Sequence, residues 1–164
     1  MIKIAKLKNW KEFRDIRLDA LRVDPIAFGA SHEEESKLSV KDWKNKFGKK
    51  ERFIFLYYYD KKVVGMTRVS FELSEKIRHI ANVYEVYVKP EYRGKGISSE
   101  LMKFALKFIK SKRKIKKISL YVSTSRLLAL KLYKKFGFKI VGELKREVKI
   151  RGKYYDAYVM ELLL

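Results

Sequence analysis

Hydrophobic positions along the chain recur at two spacings, which predict strands in some segments and helices in others. Apolar residues at alternate or consecutive positions predict strands over 2–7, 53–59, 63–73, 80–88, 117–122, 138–150 and 154–164. Apolar residues three and four apart predict helices over 10–22, 95–111 and 126–136. A fourth, short helix is predicted to begin after Ser39 and to end at Gly48. Hydrophobic spacing assigns no helix or strand to 26–38.

The order of these elements predicts the fold class. The strand–helix–strand unit over 80–122 forms a crossover that joins parallel strands, whereas the turns at 60–62 and 151–153 join antiparallel ones. A chain of 164 residues fits one domain with one sizeable core. We therefore expect a single α/β domain (α+β mixed) over 1–164, with a central mixed, mostly antiparallel sheet of about seven strands and helices on both faces.

The amino-acid composition excludes several kinds of site and cofactor. The chain has no cysteine, which excludes disulfides, thiolate metal ligands and an acyl-cysteine intermediate. It has two histidines, so no metal is expected to take part. No apolar run approaches the roughly 18 residues that a membrane span needs, and the first residues lack the apolar core of a signal peptide. We therefore expect a cytoplasmic protein with no membrane partner.

The net charge of +21 favours an anionic partner, such as a nucleotide cofactor, a nucleic acid or the ribosome. The lysines are scattered through every segment, however, and such a distribution is also typical of a solvated surface.

Two glycines and two basic residues lie between the strand over 80–88 and the helix that follows it, in the segment Tyr92-Arg93-Gly94-Lys95-Gly96-Ile97-Ser98. The glycines allow the backbone to turn tightly and to approach a ligand. The free N–H groups of a helix's first turn, with the positive end of its dipole, bind phosphate. Arg93 and Lys95 add charge and Ser98 adds a hydroxyl. The Walker loop is absent, and Ser99 stands where the dinucleotide fingerprint needs its last glycine.

Two motifs resemble those of the GCN5-related N-acetyltransferase (GNAT) family. Arg93-Gly94-Lys95-Gly96-Ile97-Ser98 resembles the family's cofactor loop [Q/R]-x-x-G-x-[G/A], with Ser98 where glycine or alanine is usual. Ala129-x-x-Leu132-Tyr133-x-x-x-Gly137-Phe138 resembles the family's A-x-x-L-Y-x-x-x-G-F helix and strand. The order of elements fits the family along essentially the whole chain, and the specific motifs lie within 82–142.

The resemblance implies an enzyme that transfers acetyl from acetyl-CoA, its co-substrate, to a primary amine by direct attack. Strands around 82–88 and 117–122 would splay apart to admit the pantetheine arm. The backbone of Val86 and Val88 would hydrogen-bond the pantetheine amides, and one of their N–H groups would stabilise the oxyanion. Diphosphate would be held by the amides of the turn, namely those of Gly94, Gly96, Ile97 and Ser98. Arg126, where the family usually has asparagine, is a further candidate for a cofactor contact.

Three residues are candidates for proton transfer. The resemblance implies that Tyr133 protonates the departing thiolate. Glu85, or Tyr84 acting through water, is the candidate base for the acceptor amine. Strict alternation puts Tyr84 and Val86 on one face of the strand and Glu85 on the other, and a β-bulge would change this assignment. The acidic run Glu33–Glu35, in the loop that borders the family's acceptor site, would attract a cationic amine or begin a solvated helix.

The acceptor is left open among a protein N-terminus, a protein lysine, a polyamine and another small amine. A basic surface repels a polyamine unless acids line the site, and suits an acidic or ribosomal target. The alternative from another class is a basic nucleic-acid- or ribosome-binding module without catalysis, which the charge and the aromatic residues Tyr57, Tyr58 and Tyr59 favour. The sequence also leaves a homodimer open.

Overall fold

The structure, a computed structural model, describes residues 1–112 and 114–164. Within these residues, seven strands form one sheet in the order β1-β2-β3-β4-β5-β7-β6. The strands are β1 (Ile2–Ile4), β2 (Arg52–Tyr59), β3 (Lys62–Phe71), β4 (Ile80–Val88), β5 (Lys117–Ser123), β6 (Lys139–Ile150) and β7 (Lys153–Leu163). The helices are α1 (Trp10–Val23), α2 (His32–Ser36), α3 (Val40–Asn45), α4 (Ile97–Lys110) and α5 (Leu127–Lys135).

The predicted fold class is confirmed. All pairs of neighbouring strands are antiparallel except β4 with β5, which are parallel. The first strand is shorter than predicted, and α2 was predicted only as one alternative for the acidic run Glu33–Glu35. Five residues are too few to show a helical period, and α2 begins instead at a capping box, in which Ser31 and Glu34 bond each other's backbone N–H. None of the described helices is both long and apolar enough to cross a membrane.

Helices cover the sheet on both faces, as predicted. On one face, α4 contributes Met102 and Ile109 to a core that also contains Val83 of β4. On the other face, Phe13 of α1 and Trp43 of α3 pack over the sheet. Full burial of one such side chain contributes about 1.5–3 kcal/mol to the free energy of folding. The two cores therefore hold the sheet between the helices.

The parallel strands β4 and β5 pair only over Ile80–Asn82 and Lys117–Ser119. Past Asn82, β4 turns away from β5, which confirms the predicted splayed pair. The divergence begins near a β-bulge, because Tyr84 and Tyr87 lie opposite Arg68 and Met66, so that β4 has one residue more than β3. Glu85 adopts a φ of 60° there. A bulge bends its strand, so this one helps to open the gap beside β5.

Candidate active site

A groove of about 430 Å³ occupies the gap between β4 and β5. One wall is β4 at Val86 and Val88, and the opposite wall is formed by α5 and the turn before it. The turn at Gly94 and Gly96 closes one end of the groove. The groove is lined by eight of the predicted cofactor-binding residues: Val86, Val88, Arg93, Gly94, Gly96, Ile97, Ser98 and Arg126. The structure therefore brings to one place residues that the sequence separates by up to forty positions.

The turn before α4 presents free N–H groups. Gly94 and Gly96 have left-handed φ angles of 77° and 80°, and a Cβ added to either would meet no atom within 4 Å. The first helical hydrogen bond of α4 runs from Glu100 N–H to the Gly96 carbonyl, at 3.0 Å. The amides of Ile97 and Ser98 precede it and have no acceptor within the helix. Such a glycine turn at a helix start is a concave site for an anion.

The two basic residues of this turn take different directions. Lys95 does not line the groove, because its ammonium lies 5.2 Å and 5.5 Å from the ring centroids of Tyr92 and Tyr59. Arg93 lines the groove, and its Nε donates a 2.9 Å hydrogen bond to the Val88 carbonyl. The carbonyl of Val88, predicted to bond a pantetheine amide, is therefore already engaged by Arg93.

The polar backbone groups of β4 that face the groove belong to Val86 and Val88. Lys89 N–H points towards β3, where it donates to the Val64 carbonyl at 2.9 Å. Because backbone groups alternate in direction along a strand, those of Val86 and Val88 point the other way. In the part of the chain that the structure describes, no strand pairs with β4 there.

A second cavity, of about 290 Å³, lies beyond the gap and shares Val86, Arg126 and Tyr133 with the groove. Tyr84 and Tyr121 line it. Along their strands these tyrosines alternate with residues that pack against α4. The cavity therefore lies on the face of the sheet opposite α4. We call it the acceptor pocket, because a molecule there would meet one in the groove through the gap.

Tyr133 stands where the groove and the acceptor pocket meet. Its side chain is 7% exposed, and its ring packs edge-on against Phe138 at 6.2 Å. Burial raises the pKa of the Tyr133 phenol above its ordinary value, so the hydroxyl keeps its proton at neutral pH. Within residues 1–112 and 114–164 this hydroxyl has no hydrogen-bond partner, which leaves it free to donate into the cavities.

The bulge in β4 changes the predicted faces of its residues. The carboxylate of Glu85 lies 2.8 Å from Arg68 Nε and 3.5 Å from Arg17 Nη1, on the face of the sheet that α1 covers. Tyr84 lines the acceptor pocket, with the Arg68 guanidinium 4.4 Å from its ring centroid. Burial raises the pKa of Tyr84, although the charge of Arg68 opposes the shift. The two candidate bases thus differ, since Glu85 is ion-paired and Tyr84 is not.

Arg126 occupies an unexpected position. Its guanidinium forms an ion pair with Asp24, and both residues line the groove and the acceptor pocket. Asp24 was not among the candidate site residues. Nothing in the local pattern signals this pair, because its members come from distant parts of the chain.

The acidic run Glu33–Glu35 forms the first turn of α2, which is the second of the two roles predicted, and Glu33 and Glu34 are exposed. Glu35 is buried and accepts two hydrogen bonds from Arg17. Glu33 pairs with Lys37 at the surface, and Glu34 caps α2. In the structure none of the three carboxylates lines the acceptor pocket.

The aromatic residues that favoured a nucleic-acid module do not share a surface. Tyr57 is buried, and Tyr58 donates a 3.0 Å hydrogen bond to Glu12 on the side of α1. Tyr59 is exposed and packs against Tyr92. Bases therefore have no continuous stacking platform at these residues, although such a platform is what single-stranded nucleic acid needs.

Comparisons with known proteins agree with this geometry. The model of the acetyltransferase (GNAT) family matches residues 10–138, and the chain belongs to that family. It is 30% identical to the L-amino acid N-acetyltransferase AaaT of Escherichia coli K12, over 62% of each chain. It is 32% identical to the spermidine N(1)-acetyltransferase of the same strain, over 47% of this chain and 41% of the relative. The matches thus span less than two thirds of these relatives.

Solved structures show the same fold. The acetyltransferase of the GNAT family from Streptococcus pneumoniae superimposes with a TM-score of 0.87 at 22% identity, over 100% of this chain and 99% of that one. The protein yncA from Salmonella typhimurium, solved with its cofactor acetyl-CoA, superimposes with a TM-score of 0.82 at 15% identity, over 100% of this chain and 93% of that one.

Proposed function

We propose that this protein is an N-acetyltransferase, which transfers acetyl from acetyl-CoA to a primary amine by direct attack. The observation that carries the proposal is the meeting of two cavities at Tyr133, in the gap between β4 and β5. A direct transfer needs two substrates side by side with a proton donor at the reacting atoms. The absence of cysteine from the chain leaves no cysteine route to a covalent acyl intermediate.

The groove suits the parts of coenzyme A in order. The free amides of Ile97 and Ser98 and the left-handed glycines before them suit the diphosphate. The backbone of Val86, which faces the groove, suits an amide of the pantetheine arm. Lys95 takes part through its backbone in this scheme, because its ammonium lies over Tyr59 and Tyr92. The thioester then reaches the gap beside Tyr133.

The chemistry requires two proton transfers. The acceptor enters as an ammonium ion, loses a proton, and its nitrogen attacks the thioester carbonyl carbon. The carbon–sulfur bond then breaks, and Tyr133 donates its phenolic proton to the departing thiolate. Backbone N–H of Val86 stabilises the charge that develops on the carbonyl oxygen. The attacking nitrogen carries one proton too many once the carbon–nitrogen bond has formed. That proton passes to the Tyr133 phenolate, which restores the phenol and leaves a neutral amide.

Of the two candidate bases, Tyr84 suits the acceptor pocket better. Both residues line the pocket, but Tyr84 is not held by an ion pair and can order a water molecule that carries the ammonium proton away. Glu85 holds two arginines with its carboxylate and so fixes the bulge that places Tyr84. We assign Glu85 a positioning role. Two relatives are named for acetylation of L-amino acids and of spermidine, which are primary amines, and these names support the acceptor class.

A panel of primary amines with acetyl-CoA, followed by release of free thiol, tests the proposal. We expect thiol release that saturates with both substrates and an acetylated product in equal amount. Protein that neither binds acetyl-CoA at moderate salt nor releases thiol with any amine would contradict it. Polyanion binding that disappears as salt is raised, together with such inactivity, would favour the nucleic-acid module instead.

A further inference from the structure

The acceptor pocket is acidic in a strongly basic protein. Among residues 1–112 and 114–164, the charged residues that line it are the acids Asp24, Glu85, Glu147 and Asp156 and the cation Arg126. The chain as a whole has a net charge of +21. The local excess of carboxylates therefore opposes the field of the molecule at the place where the acceptor would bind.

Three of these four carboxylates already have cationic partners. Asp24 pairs with Arg126, and Glu85 with two arginines. Asp156 lies 3.1 Å from Lys145 Nζ. Glu147 is exposed and forms no ion pair or hydrogen bond with any residue in 1–112 or 114–164. Its charge is therefore the one that remains available to a ligand.

A second β-bulge brings Glu147 to the pocket. Leu144 pairs with Ala157 and Val148 with Tyr155, so the three residues of β6 between these pairs stand opposite Asp156 alone. The carboxylate of Asp156 accepts a 2.8 Å hydrogen bond from the backbone N–H of Arg146, whose φ is 56°. A positive φ at a non-glycine residue is unfavourable, so the Asp156 contact holds a local conformation that a regular hairpin would not adopt.

Aromatic rings form much of the remaining wall. Tyr84, Tyr121 and Tyr155 line the pocket together with Phe28. The faces of such rings attract cations, with about 0.5–1 kcal/mol at exposed sites. Cations of the protein already lie over three of these rings, Arg68 at Tyr84, Arg17 at Phe28 and Lys153 at Tyr155. Within residues 1–112 and 114–164, Tyr121 is the ring left to add to the charge of Glu147, and that charge disfavours a ligand that carries a carboxylate.

We propose that the acceptor is an amine that carries a second cationic group, and that Glu147 binds this distal cation while the reacting amine lies at the gap beside Tyr133. The inference rests on the proposed function and names the substrate class of the same site. It also removes the conflict between a basic surface and a cationic substrate, because the acids lie at the site itself.

Three acceptors of equal chain length test this specificity: 1,4-diaminobutane, n-butylamine and 4-aminobutanoate. We expect the highest kcat/KM for the diamine and the lowest for the amino acid. Glu147→Gln should lower kcat/KM for the diamine about fivefold, mainly through KM, which corresponds to one partly exposed ion pair. For n-butylamine, the same variant should change kcat/KM by less than about twofold.

Glu75→Gln is the matched control, because it removes the same charge from an exposed residue outside the pocket. It should leave kcat/KM unchanged for all three acceptors. Equal kcat/KM for the diamine and n-butylamine, or an equal loss for both in Glu147→Gln, would overturn the inference while acetyl transfer itself stands. If none of the three amines, nor any other primary amine, releases thiol, the proposed function fails and the inference fails with it.

Discussion

Arg17 donates two hydrogen bonds of 3.0 Å to the carboxylate of Glu35, one from Nε and one from Nη2. The side chains are 7% and 9% exposed, so the pair is almost fully removed from water. Nη1 of the same guanidinium lies 3.5 Å from Glu85. The pair therefore joins α1 to α2 and also supports the bulge in β4 that helps to open the cofactor gap.

Replacement of Glu35 by glutamine should destabilise the protein by roughly 3 kcal/mol, because it leaves a buried guanidinium without its main counter-charge. Urea unfolding measures this free energy. Glu33→Gln is the control, since it makes the same change on an exposed residue of the same helix and should alter stability by less than about 0.5 kcal/mol. Equal losses of unfolding free energy in the two variants would show that the buried Arg17–Glu35 pair stabilises the protein no more than an exposed carboxylate does.

The contribution of Glu35 should also depend on pH. Burial alone would raise the pKa of Glu35, but the hydrogen bonds and charges of Arg17 and Lys46 outweigh it and hold the pKa below its ordinary value. A lowered folded-state pKa means that the stabilisation is present above the unfolded value, about 4.3, and is lost as pH falls through the lower folded value. The difference in unfolding free energy between the unaltered protein and Glu35→Gln should therefore be constant near neutrality and shrink below about pH 4. A difference that grows on acidification would contradict this assignment.

Tyr133→Phe should lower kcat for acetyl transfer about a hundredfold, because a positioned proton donor typically contributes at least this factor. Binding of acetyl-CoA should change little, since the ring and its packing on Phe138 are retained. Stopped-flow thiol release and calorimetry separate the two effects. Tyr154→Phe, at an exposed tyrosine outside the groove, should behave as the unaltered protein. An unchanged kcat in Tyr133→Phe would remove this residue from the mechanism.

Local patterns in the sequence are sufficient to predict the order of the strands and of the helices other than α2, the glycine turn, and the helix that carries Tyr133. Each of these depends on residues that are close along the chain: a period, a pair of glycines before a helix, or one position in a helix. The start of α4 was predicted two residues early, because the left-handed conformations of Gly94 and Gly96 delay the helix until Ile97.

The remaining features depend on contacts between distant segments, which a single sequence does not display. Glu85 and Arg146 adopt positive φ angles although neither is glycine, and the bulges they belong to exist because Arg68 and Asp156 engage them from neighbouring strands. The direction of Lys95 likewise depends on Tyr59, which belongs to a different strand. Tertiary interactions of this kind override local preference.

Calorimetric titration of acetyl-CoA into the unaltered protein, Gly96→Ala and Gly152→Ala at one fixed moderate salt concentration tests the central claim most directly. Both glycines have a φ of 80° and open space at the Cβ position, so the two variants suffer the same backbone strain of about 1–2 kcal/mol. Only Gly96 belongs to the turn that we assign to diphosphate. We predict one site per chain, affinity at least about tenfold weaker in Gly96→Ala, and unchanged affinity in Gly152→Ala. No saturable binding to the unaltered protein, or equal affinity in all three, would contradict the account.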